Sequence, residues 1–221
     1  MLQPSTLKFL SALKKNNNRD WFLANKKDYD AAKKDFAEYV QKLITGLAAF
    51  DKEISGLEAK NCVFRINRDV RFSNDKSPYK SNMGANMSPG GKKSPSAGYY
   101  FHIEPGGKSF IAGGMWQPEP DKLKAVREDI IYDPAEFKKI IGNKEFKKHY
   151  SSLADEDKLK TAPKGFDKAH PDIELVKYKS YIVVKSLSDK ELLDKNLVKN
   201  TLEAFKALKP LNDFLNKSAG V

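Results

Sequence analysis

The chain has 221 residues and only one cysteine, Cys62. A single thiol excludes an internal disulfide and any cluster of thiolate metal ligands. Cys62 opens an apolar run, so the reading is a buried, inert thiol in a reducing cytoplasm. Histidine is equally sparse: His102, His149 and His170. No pair of them has zinc-motif spacing, so no metal and no cofactor is expected. No stretch approaches the roughly 18 consecutive apolar residues of a membrane-spanning helix. The N-terminal MLQPSTLKFLSALKK lacks the charged-then-apolar order of a signal peptide. Arginine is the scarcest charged residue. Only five of the 40 basic residues are arginine, and the net charge is +11. There is no P-loop, no GxSxG elbow and no dinucleotide fingerprint, which removes the best-marked nucleotide and hydrolase classes.

What is present reads as helices, then strands, then helices. Leu7, Leu10 and Leu13 mark a helix over 5–14. Asn18 stands where an N-cap belongs. Tyr29, Ala32, Phe36, Val40, Leu43 and Leu47 give the 3.6-residue stripe of a helix over 26–49. From Asn61 the run NCVFRINRDVRF alternates like a strand. GANMSPGGKKSPSAG at 84–98 has the composition of a flexible loop. GYYFHIE at 98–104 and SFIAGGMW at 109–116 form a hairpin about PGGK. Helices are expected from Pro118–Pro120 to Ile131 and near 134–141. A strand is centred on Tyr181–Val184. A final helix, capped by Ser188 or Asp189, runs to about Asn216 with a bend at Pro210. The expectation is one α+β domain over 1–221, with a mostly antiparallel sheet of about four or more strands. Its parts are a helical 1–50, a strand-rich 61–116 and a helical 117–221 with one further strand. Long helices lie at both ends.

Three of the five arginines, Arg65, Arg68 and Arg71, fall within seven residues. Lysine suffices for solubility, whereas the planar guanidinium fork grips carboxylates and phosphates at fixed geometry. If Cys62–Phe72 is a regular strand, Cys62, Phe64, Ile66, Arg68, Val70 and Phe72 share the core face. Arg65, Asn67, Asp69 and Arg71 then share the other, about 6.6 Å apart between neighbours. Two readings stay open. Asp69 and Asp75 neutralise the arginines in a structural network, or they orient them for an anionic ligand. In the second reading Arg65, Arg68, Arg71 and Lys76 contact the anion. Tyr79 and Lys80 line the rim, and Arg127 and Trp116 face them. Asp69, Asp75 and His170 are the candidates for acid–base work. His102 shares a strand face with Tyr100 and Glu104, and Glu104 is a possible partner to orient it.

The segments NNNRDWF, FRINRDVRFSNDKSPYK, GYYFHIEPGGKSFIAGGMWQPEPDKLKAVREDI and HPDIELVKYKSY together resemble one family. It is DUF2461, a set of bacterial and fungal proteins of unknown function, and the likeness extends to about residue 214. The resemblance implies that a chain of this length is the whole unit. It carries over no catalytic residue. Three functional classes follow from the residues: a binder or enzyme for a phosphate- or carboxylate-bearing small molecule, a protein-interaction module, and a nucleic-acid binder acting through diffuse lysine. The lysines sit among acids, as in NKKDYDAAKKDFAEY, which disfavours the third.

Overall fold

A computed structural model describes residues 1–71 and 73–221. Helices α1 (Pro4–Lys15), α2 (Arg19–Ala24) and α3 (Lys26–Ala48) come first, and the short α4 (Ala59–Cys62) follows. Asn18 caps α2 by accepting from the Trp21 amide at 2.9 Å. Strands β1 (Met83–Met87), β2 (Gly98–Ile103), β3 (Ser109–Met115) and β4 (Tyr181–Leu187) form an antiparallel sheet in that order. Between β3 and β4 lie α5 (Pro120–Tyr132), α6 (Pro134–Ile141) and α7 (Lys144–His149). After β4 come α8 (Asp189–Leu192) and α9 (Leu197–Ala219). The class is α+β.

Three expectations need correction. The segment from Cys62 is not a regular strand. Cys62 ends α4, and the following residues make only single antiparallel bridges, Val63 to Ala85 and Asn67 to Tyr79. Phe64 is 37% exposed, so it does not join Ile66 in the core. Phe72, placed on the core face by the alternation, lies outside the described residues. The stretch 84–98 is not wholly loop, because β1 occupies its start. The final helix is two helices. Ser188 closes a capping box with Glu191 over the single turn of α8, and α9 then runs past Asn216 with Pro210 inside it.

The chain forms two compact units. The first contains Met1–Lys92, Tyr100–Ile111 and Ser186–Leu202. Its core joins one face of α3 to β2. Phe36 and Tyr39 pack on Phe101 with ring centroids 6.0 and 4.7 Å away, and the buried Tyr39 hydroxyl meets Thr201 at 3.2 Å. Leu7, Leu10 and Leu13 of α1 are buried, as their spacing requires. The second unit contains Lys93–Tyr99, Ala112–Lys185 and Glu203–Val221. There α9 lies close to the backbone of the strands. Gly113 abuts Leu208, and the Asn216 amide pairs with both backbone groups of Ala97. Phe137 packs on Tyr181 and Phe214.

Strand alternation decides what β2 shows to each side. Tyr99, Phe101 and Ile103 are at most 1% exposed, whereas Tyr100 and His102 on the other face are half-buried. That second face carries most of the chemistry in the first unit.

Candidate functional site

The arginine segment is an irregular arm closed by a turn. The Phe64 amide donates to Gly84 O at 3.0 Å, the Lys80 amide to Ile66 O at 2.8 Å and the Arg68 amide to Pro78 O at 3.0 Å. Ile66 and Tyr79 are the buried anchors of the arm. The Asn17 amide bonds both backbone groups of Tyr79, at 3.1 and 2.8 Å, and the Phe22 ring stacks on Tyr79 at 3.9 Å. Tyr79 is therefore an anchor in the protein interior.

Arg68 holds the turn together. Its Nη1 bonds the Asp75 carboxylate and, at 3.0 Å, Ser77 Oγ, while Nη2 reaches Ser73 Oγ at 3.3 Å. Asp75 also accepts from the Ser77 amide at 2.9 Å and from its hydroxyl at 2.5 Å. These bonds, first those from Ser77 and then that from Arg68, hold the Asp75 carboxyl down at about 2. Arg71 makes a two-pronged contact with Asp69, Nε at 2.9 Å and Nη2 at 2.6 Å. That pairing pulls the Asp69 carboxyl below its ordinary value. Lys76 donates to Val70 O at 3.0 Å. Arg68, Arg71, Lys76, Asp69 and Asp75 are thus engaged within the turn.

Arg65 and Lys80 differ from these. Arg65 is exposed, and among the described residues it makes no hydrogen bond or ion pair. Lys80 is half-buried with its Nζ 5.7 Å above the Phe64 ring. Burial, and then the charge of Arg65, lowers its pKa. The two cations repel each other, and the carboxylate that also feels Arg65, Asp69, is already gripped by Arg71.

Beside them is a constellation that outranks several of the expected residues. The Phe64 ring lies 6.4 Å from Tyr100, whose hydroxyl sits over Gly84. Tyr100 Oη is 3.3 Å from His102 Nδ1. On the other side of the imidazole, Nε2 is 3.7 Å from Glu104, which Lys14 meets at 3.2 Å. Phe110 stacks on His102 at 4.5 Å and 14°. Burial lowers the His102 pKa, and Glu104 opposes that shift. Burial also raises the Tyr100 phenol. The signal for this group is the i, i+2, i+4 spacing of Tyr100, His102 and Glu104. The aromatic neighbours come from other strands and segments and have no sequence signature.

The remaining candidates belong to the second unit. Trp116 follows β3 directly and is 68% exposed. Arg127 donates to Tyr178 O at 2.7 Å, and its buried Nε has no partner among the described residues. His170 Nδ1 accepts from the Asp172 amide at 3.1 Å, which makes it a local cap, while Asp172 pairs with Lys138. The Cys62 thiol is buried and pushed up to about 11. Among the described residues no group of three or more His, Cys, Asp or Glu is arranged to hold a metal ion. Among them, too, no helix is long and apolar enough to cross a membrane.

The fold is α+β, and the densest polar chemistry of the first unit lies along the arginine arm and the open face of β2. The chain matches the family described as conserved hypothetical protein DUF2461 over residues 5–214, and it belongs to that family. No curated protein and no solved structure matches it.

Proposed function

We propose that this protein binds a small phosphate- or carboxylate-bearing molecule, and that Arg65 and Lys80 are the groups that receive its charge. One observation carries this reading: Arg65 lies near enough to Lys80 for its charge to lower the Lys80 pKa, and among the described residues neither side chain makes a hydrogen bond or ion pair, the Asp69 carboxylate that also feels Arg65 being held by Arg71. Maintaining adjacent like charges is unfavourable, and an anion between them relieves the repulsion. Arg68 builds the turn that presents them, with Asp75 as its partner, and Arg71 is occupied by Asp69. The anion contacts are thereby reduced from the whole arginine block to one arginine and one lysine. We place the protein in a reducing cytoplasm, because its single cysteine is buried and has no partner cysteine.

Melting temperature against a panel of inorganic phosphate, pyrophosphate, nucleotides and dicarboxylates tests the reading. A ligand at about 100 times its Kd adds roughly 2.7 kcal/mol to stability. At least one anion should raise the wild-type melting temperature. Arg65→Gln and Lys80→Gln should abolish that shift while melting close to wild type without ligand. A shift that survives both substitutions would place the anion elsewhere.

A further inference from the structure

We propose that Tyr100, His102 and Glu104 form an acid–base relay beside the anion site, with Tyr100 exchanging a proton with a bound 2-oxo acid or phosphorylated ketone. The inference rests on the anion reading above.

The geometry orders the three groups. Glu104 faces Nε2 and favours the tautomer that carries hydrogen there, leaving the Nδ1 lone pair for the Tyr100 hydroxyl. Burial disfavours the imidazolium, so the neutral ring keeps a lone pair at Nδ1, and Glu104 offsets the charge when a proton arrives there. The phenol is protonated at rest, because burial raises its pKa, and it gives that proton up only as it takes another. The Phe110 ring covers one face of the imidazole. Gly84 makes room for the phenol: a Cβ there would come within 2.4 Å of Tyr100 Oη. The Phe64 ring lies 6.4 Å from Tyr100 and has the Lys80 ammonium 5.7 Å above it. The relay and the Lys80 ammonium therefore share one neighbourhood in the first unit, and Lys80 feels the charge of Arg65.

The step balances without a co-reactant. The C–H bond next to the ligand's carbonyl breaks, and its electron pair moves into the carbonyl to give an enolate. The proton goes to Tyr100 Oη as the phenol's own proton passes to His102 Nδ1. The imidazolium faces Glu104. The enolate and the ligand's fixed anion face Arg65 and Lys80, which stabilise the developing charge. The reverse transfer returns a proton to carbon. In deuterated water this replaces C–H by C–D with no net oxidation. Tyr100 is the catalytic residue in this scheme. His102 and Glu104 act through it as positioning residues.

The test follows C–H loss by proton NMR in deuterated water, with pyruvate, 2-oxoglutarate and dihydroxyacetone phosphate as probes. The full chain is compared with Tyr100→Phe, His102→Asn and Arg65→Gln, and binding is read in parallel by melting temperature. Wild type should accelerate exchange of at least one probe. Tyr100→Phe keeps the ring over Gly84 and should lower the rate at saturating probe by about 100-fold or more, the usual scale of acid–base assistance. His102→Asn should do the same, with the half-saturating probe concentration unchanged in both variants. Arg65→Gln should instead raise that concentration. Probe binding without accelerated exchange overturns the relay and leaves the anion site standing. Exchange undiminished in Tyr100→Phe and His102→Asn also overturns it. Failure of every probe to bind removes the anion reading for these ligand classes, and the relay with it.

Discussion

The three clustered arginines divide their work according to what each guanidinium touches. Arg68 reaches Ser73, Asp75 and Ser77, which ties residues on both sides of the turn to one group. Arg71 meets a neighbour two residues away and is 74% exposed, so its pair is screened by water. Arg68→Gln should therefore lower the melting temperature clearly, and Arg71→Gln should hardly move it. The acid behaviour follows from Asp75. Its carboxyl is depressed in the fold, from the ordinary 3.8 to about 2. A depressed carboxylate contributes stability that is fully present above the unfolded value and fades as pH falls through the folded one. Asp75→Asn should be less stable than wild type at pH 7. The gap should close as pH drops from about 4 to about 2. Because the carboxylate is exposed, added salt should narrow the gap throughout. Melting curves of the two proteins across that range check both statements.

At the scale of elements, two strand glycines separate packing from function. Gly114 has φ +110°, and a Cβ there would stand 2.0 Å from the Tyr181 carbonyl oxygen and 2.9 Å from Ile182 Cα. Both obstacles are backbone. The conformation alone costs a side chain about 1–3 kcal/mol, and the clash adds to it. Gly114→Ala should cost more than about 3 kcal/mol in denaturant unfolding. Gly84 meets only the end of the Tyr100 side chain, which is able to swing aside. Gly84→Ala should change stability by no more than about 1 kcal/mol. It should nonetheless break the Tyr100–His102 contact, seen as a shift of the His102 ring resonances. Elements differed in how well they could be read from sequence. The stripe from Tyr29 to Leu47 marks α3 because every turn repeats the same burial. The period-2 pattern after Asn61 misleads, because backbone pairing there is limited to single bridges and Phe64 turns outward. Strand β1, MGANM, has no β-branched residue. It is a strand through its neighbours, which local propensity does not encode. The break before α9 follows from the Ser188 capping box and from Asp194 accepting from the Asn196 amide, both short-range signals read too coarsely.

For the molecule as a whole, the charge of +11 is spread widely, and many lysines stand beside acids, as in the Lys26–Asp30, Lys124–Glu128 and Lys209–Asp213 pairs. A diffuse field of this kind gives solubility and weak, salt-sensitive attraction to polyanions. Specific recognition of a small anion needs fixed donors, and in the proposed reading Arg65 and Lys80 are those donors. The arm was found in the sequence by the scarcity of arginine alone. Its internal division of labour was not visible there, because the turn brings Ser73, Asp75 and Ser77 around Arg68. The grouping of Tyr100, His102 and Glu104 on β2 was visible as a spacing, yet its surroundings depend on Phe64, Gly84 and Phe110, which only the fold assembles. The central proposal is that Arg65 receives an anion while Arg68 holds the turn and Arg71 stays on Asp69. With five arginines in the chain, the guanidinium Nε–H signals are few enough to assign singly by nitrogen-15 NMR. Titration with pyrophosphate should shift the Arg65 signal and leave those of Arg68 and Arg71 in place. Movement of the Arg68 and Arg71 signals with Arg65 unmoved would contradict the account.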